Sequence, residues 1–116
     1  MVRYAFLAYT NEAEWANLSA PEREAQVKQF GAFIKEVEQR GVRETNARLQ
    51  PSSTATTVRA HGGKLVIGDG PYAETNEQLT GLYILNCKDL DEAIELGGKL
   101  PAARMGVVEI RAIAEA

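Results

Sequence analysis

Gly68-Asp69-Gly70-Pro71 is the stretch of this chain best suited to hold a reactive group. The two glycines let the backbone bend sharply on either side of Asp69 and Pro71 sets the exit direction, so a carboxylate is carried on a tight corner beside a strand end. A free aspartate ionises near pH ~3.9, and partial burial would raise that value toward one useful to a general base. Asp69 is therefore the candidate catalytic residue, placed to move a proton on a small molecule. The competing reading is that it caps its own turn by accepting nearby backbone N–H groups. Four residues are candidates for ligand binding. Arg59, on the strand leading to the corner, is placed to pair with Asp69 or with a ligand carboxylate, an ordinary cross-strand charge contact being the alternative. Tyr72 adds a ring and a hydroxyl; Glu74 is a solvated loop charge or else lines the pocket mouth; and Tyr9, like Tyr4 and Tyr83, is a strand-borne ring of the usual core kind, the alternative being a hydroxyl that reaches a cavity.

Other chemistries lack their residues. One histidine and one cysteine cannot make a common zinc site, and neither a phosphate-binding Gly-x-x-x-x-Gly-Lys loop nor a Gly-x-Gly-x-x-Gly fingerprint occurs. No metal or cofactor is expected. Cys87 has no activating neighbour and is read as a small buried apolar residue. His61, beside Gly62, is read as a solvent-exposed turn residue. Trp15 precedes the first long helix, as a lid or a hydrophobic staple.

The elements that must position these groups follow from local pattern. Val2 to Tyr9 is apolar on both alternating faces, the mark of a central strand covered on both sides. Ser19-Ala20-Pro21-Glu22 forms a capping box that starts a helix, whose stripe of Val27, Phe30, Ile34 and Val37 runs to about Arg40 before Gly41 stops it. Val42 to Gln50 reads as a half-exposed strand. Thr54 to His61 and Lys64 to Ile67 flank Gly62-Gly63 as a hairpin. Gly81 to Cys87 is an aliphatic strand, Asp89-Leu90-Asp91-Glu92 caps a second helix carrying Ala93, Ile94, Gly97 and Leu100, Pro101 ends it, and Val107 to Ile113 is the last strand. The plan is α+β: a ferredoxin-like βαββαβ with an extra hairpin, in a single domain spanning residues 1–116. Two helices cover one sheet face only, so two chains are expected to stack their open faces into a dimeric α+β barrel, a homodimer.

Composition sets outer limits. A net charge of −3 and a pI near 5.2, with thirteen Lys and Arg dispersed along the chain, give no footprint for nucleic acid. No segment has membrane-spanning length, Val2 to Tyr9 lacks the flanks of a secretory signal, and a lone thiol fits a reducing compartment, so a cytoplasmic location with no membrane partner is expected.

Residues 68–81, Gly-Asp-Gly-Pro-Tyr-Ala-Glu-Thr-Asn-Glu-Gln-Leu-Thr-Gly, resemble the Asp-Gly-Pro-Phe signature of the YCII-related family, also called DGPF-domain proteins. The usual form continues Ala-Glu-Thr-Lys-Glu-Gln-Leu-Gly-Gly-Tyr. The likeness extends more loosely through Thr57-Val58-Arg59, the strand after Gly81, Asp89-Leu90-Asp91-Glu92-Ala93 and Val108-Glu109-Ile110-Arg111. It implies a ferredoxin-like dimeric barrel. It also implies one of two functions: lyase-like or isomerase-like proton transfer on a small-molecule ligand near Asp69, or a non-catalytic dimeric module linked to extracytoplasmic-function sigma factors. The chain departs from the pattern in three places. Glu22 to Gln39 has no histidine where the family's His and Asp pair would need one, Tyr72 replaces phenylalanine, and Asn76 replaces lysine.

Overall fold

In the computed structural model, which describes residues 1–115, the chain runs β1 (Val2–Thr10), α1 (Glu12–Ala16), α2 (Ala20–Gln39), β2 (Arg43–Arg48), a 3-10 turn (Ser52–Thr54), β3 (Thr56–His61), β4 (Lys64–Asp69), β5 (Gln78–Cys87), α3 (Leu90–Gly97), α4 (Ala102–Met105) and β6 (Gly106–Ala112). Four strands form an antiparallel sheet in the order β2-β5-β1-β6, the ferredoxin-like arrangement, with α2 and α3 as its two crossovers. β3 and β4 form a separate two-stranded sheet.

The core follows from strand alternation. On β1, Tyr4, Phe6 and Ala8 are buried, and on β5 Tyr83, Leu85 and Cys87 are buried beside them, with Phe6 opposite Tyr83 and Tyr4 opposite Leu85. Phe33 and Val37 of α2 and Ala93 and Leu96 of α3 close this face, together with Leu100. Phe33 meets Tyr83 edge to face at 5.7 Å. Gly97 permits the close approach of α3 to the sheet, since a Cβ there would lie 2.9 Å from Ile110 Cδ1.

The caps form as their residues dictate. Ser19 Oγ accepts from Glu22 N at 3.2 Å while Glu22 Oε1 accepts from Ser19 N at 2.9 Å, and Asp89 Oδ1 accepts from Glu92 N at 2.9 Å. Gly41 takes the left-handed stop at φ +69°. Two details of the helix stripes are corrected. Val37, Ala93, Gly97 and Leu100 are buried as expected and Phe30 and Ile34 pack against the core, but Val27 and Ile94 are exposed and Phe33 and Leu96 are buried as well, because each contact line lies slightly to one side of the expected stripe. Pro101 leads into a short helix, α4, and α1 stands before the main helix, both too short for periodicity to reveal.

The opposite sheet face bears no helix. Ala5, Leu7 and Tyr9 of β1 and Leu82 and Ile84 of β5 lie there half-buried. The molecule is a slab of 48 × 44 × 18 Å with a radius of gyration of 16.1 Å, larger than the about 13 Å of a compact chain of this size. The bare face and the projecting hairpin account for the excess. No helix among the described residues is long and apolar enough to cross a membrane.

Candidate functional site

The Asp69 corner is built as its residues require. Gly70 adopts φ +92° and donates to Ala55 O at 2.7 Å, and a Cβ at Gly68 would sit 2.8 Å from Thr57 Oγ1. Asp69 ends β4 opposite Thr56 with its side chain exposed, and it lines neither of the described cavities. Among the described residues its carboxylate makes no hydrogen bond or ion pair, so it does not cap its own turn. Arg59 and Tyr72 are brought together, the guanidinium carbon lying 5.5 Å from the ring centroid, with both side chains exposed. Arg59 does not pair with Asp69: alternation along the hairpin puts them on opposite faces. Glu74 is exposed, Tyr9 lies on the bare face of the main sheet, and His61 is exposed at the hairpin turn opposite Lys64.

One hairpin face has a consistent character. Val58 faces Ile67 and Ala60 faces Leu65, and the period of two puts Asp69 on this same face at its base. Val58, Leu65 and Ile67 are 60, 70 and 67 % exposed, an apolar strip that a lone chain leaves in water.

The larger of the two described hollows lies elsewhere. A cavity of about 600 Å³ opens between the sheet and the helices, walled by β1, β2, β5, α1, α2 and α4. Its lining is mainly apolar, with Trp15, Val27, Phe30 and Met105 on the helical side. Its polar groups come from the strands and from α1. A β-bulge lies where Ala8 pairs with Gly81 and Tyr9 with Leu79, so Thr80 is the extra residue. The bulge turns Thr80 into the cavity, where its hydroxyl donates to Ala8 O at 3.3 Å. Arg48, on the edge strand β2, pairs in register with Gly81. Tyr83 reaches over Gly81, where an added Cβ would lie 3.2 Å from the tyrosine hydroxyl and 3.3 Å from Ala47 O. Glycine there keeps the cavity floor open.

Electrostatics divides these groups. Glu12 accepts from Ser52 N at 2.7 Å and Ser52 Oγ at 2.5 Å, while its own N–H donates to Gln78 Oε1 at 2.9 Å; it fastens α1 to the 3-10 turn. Arg23 lies 5.9 Å from the Trp15 ring centroid and donates to Ala16 O at 2.8 Å, tying α1 to α2. Burial raises the Tyr83 pKa above its ordinary value, with the nearby Arg48 charge opposing the shift. The phenol therefore stays a hydrogen-bond donor at neutral pH. Gln26, also in the wall, has a fully enclosed Oε1 with no partner. Cys87 is wholly buried, and burial pushes its thiol up to about 11, so it is no nucleophile at neutral pH.

Of the cavity residues, Trp15 and Tyr83 carried a signal in the sequence, as a tryptophan in a polar segment and a strand-borne hydroxyl. Arg48, Thr80, Gln26 and Glu12 carried none, because their convergence depends on the bulge and on elements far apart in sequence. No group of three His, Cys, Asp or Glu able to hold a metal ion occurs among the described residues.

Comparison with known proteins gives two findings. The family model described as the YCII-related domain matches residues 2–116. An uncharacterised protein of Rhizobium meliloti (strain 1021) is 35 % identical over 113 residues, covering 96 % of this chain and 91 % of that protein.

Proposed function

This chain belongs to the YCII-related domain family, and from that premise we propose that it is a homodimeric small-molecule-binding protein whose ligand enters the cavity between sheet and helices. The single observation that carries the reading is the cavity itself. About 600 Å³ of largely apolar space with a few convergent polar groups is the usual form of a ligand site. A thermal-shift screen of small aromatic and carboxylic compounds at several pH values tests it, because a compound that binds only the folded state raises the melting temperature. A screen in which no compound stabilises the protein would reject the reading.

The dimer is supported by two uncovered apolar surfaces, the bare face of the main sheet and the Val58, Leu65 and Ile67 strip of the hairpin. A second copy covering the hairpin would also cover Asp69, which shares that face. Asp69 lines no cavity of its own chain, so its role as the proton-transfer group of a lyase-like or isomerase-like reaction requires the second copy to carry it to the ligand, with Tyr72, Glu74 and Tyr9 on the following loop and the bare sheet face and Arg59 on the other face of the hairpin. Asp69→Asn is then expected to abolish turnover of a stabilising compound while leaving the dimer intact, and unchanged turnover would remove Asp69 from the chemistry. Stabilisation without turnover selects the second reading, a non-catalytic dimeric regulatory module in a sigma-factor setting. The absence of histidine from α2, where the family's His and Asp pair would require one, favours that reading.

A further inference from the structure

The polar groups of the cavity are asymmetric in charge. Arg3, Arg40, Arg43 and Arg111 each pair with a glutamate. Arg48, an exposed residue at the cavity rim, has no ion pair or hydrogen bond among the described residues. Glu12, the one acid in the cavity wall, already receives two hydrogen bonds from Ser52. Beside Arg48, the Tyr83 ring is 4 % exposed, and its hydroxyl has no protein partner among the described residues. A planar guanidinium able to hold a carboxylate by two N–H bonds thus stands near an unspent phenolic donor. The unpartnered Gln26 Oε1 in the same wall is an acceptor, able to take a donor group on the ligand but not a carboxylate oxygen. The facing wall of Trp15, Phe30 and Met105 is apolar.

We propose that the ligand is an amphipathic organic acid, its carboxylate held by the Arg48 guanidinium and the Tyr83 hydroxyl and its aromatic or aliphatic body packed against Trp15 and Phe30. This rests on the small-molecule reading above and adds the ligand class. A neutral analogue of the same shape leaves Arg48 and Tyr83 without their partner and binds more weakly, since loss of a charge-assisted hydrogen bond is costly in an apolar site.

Trp15 is the only tryptophan in the chain and lines the cavity, so its fluorescence reports occupancy. The experiment titrates benzoate, 4-phenylbutyrate and decanoate, and the corresponding alcohols, into wild-type protein, Arg48→Met, Arg48→Lys and Tyr83→Phe at neutral pH. Circular dichroism checks each fold. At least one acid is expected to bind wild-type protein tenfold or more tightly than its alcohol. Arg48→Met is expected to erase that preference while leaving alcohol affinity within twofold, Arg48→Lys to retain part of it, and Tyr83→Phe to weaken the acid threefold or more. Equal binding of acid and alcohol, or a preference that survives Arg48→Met, would overturn the acid assignment and leave the cavity reading intact. If no acid or alcohol gives a saturable response, both fall.

Discussion

Glu12 of α1 and Ser52 of the 3-10 turn are joined twice, with the serine N–H and hydroxyl both donating to one carboxylate at 2.7 and 2.5 Å. Forty residues apart in sequence, they clamp one end of the cavity and occupy both oxygens of the Glu12 carboxylate. Glu12→Ala removes both acceptors and strands the Ser52 N–H. Hydrogen bonds to a charged group contribute about 1.5–3 kcal/mol, and partial exposure of Glu12 places the expected loss near about 1–2 kcal/mol. Urea unfolding measures it. A change within about 0.3 kcal/mol, with unaltered hydrogen exchange at Ser52, would show that the clamp does not hold α1 in place.

Val27 faces the cavity from α2 yet is 60 % exposed, so it contributes little to the core. Val27→Trp should fill the space and cancel stabilisation by any compound that raises the melting temperature of the wild type. Its own melting temperature should stay within about 2 °C, because exposed substitutions usually change stability by about 0.5 kcal/mol or less. Ligand stabilisation equal to the wild type in this variant would place the binding site outside the cavity.

The hairpin strip gives a test of association. Light scattering at micromolar concentration should return twice the 12.7 kDa chain mass. Leu65→Glu combined with Ile67→Glu should shift the population to monomer, because charges on a covered apolar strip must be desolvated. Both side chains are largely exposed in the single chain, so the variant should keep its circular dichroism spectrum. A wild-type monomer, or a double variant that remains dimeric, would exclude this strip as the interface.

Arg40 gathers three glutamates, at 2.5 Å from Glu36, 3.3 Å from Glu92 and 2.8 Å from Glu95. Its hydrogen bond lowers the Glu95 carboxyl from the ordinary 4.5 to about 2, and a bond from Lys99 is the main cause that lowers Glu36. A carboxyl depressed in the folded state stabilises it above the unfolded pKa, and the contribution disappears as pH falls through the folded value. Stability should therefore decline between about pH 4.5 and 2. Arg40→Gln should flatten that decline and lower stability slightly at neutral pH, since these pairs are solvent-screened. Denaturant midpoints across this range check it, and an identical slope in the variant would remove Arg40 as the source.

How much could be read in advance depends on the range of the interaction involved. The capping box at Ser19 and Glu22 and the stop at Gly41 act over three or four residues and formed as expected. The Val58, Ala60, Leu65 and Ile67 pairing needed only the Gly62-Gly63 turn to set its register. The helix stripes were half legible. Period alone found the buried Val37, Ala93 and Gly97 but also selected the exposed Val27 and Ile94, whereas the burial of Phe33 and Leu96 comes from packing against a sheet made of distant segments.

The sequence by itself determined the ferredoxin-like order of elements, the hairpin, the uncovered sheet face and the glycine-flanked bend at Asp69, because alternation, capping and turn chemistry are local. Only the tertiary structure decided that the hairpin stands as its own sheet, that Asp69 lies outside the large cavity, and that Arg48 and Tyr83 meet there around Gly81. Those outcomes depend on a bulge at Thr80 and on walls drawn from residues as far apart as Ala8 and Met105. No local period encodes such a meeting; it arises when strands pair and the helices close over them.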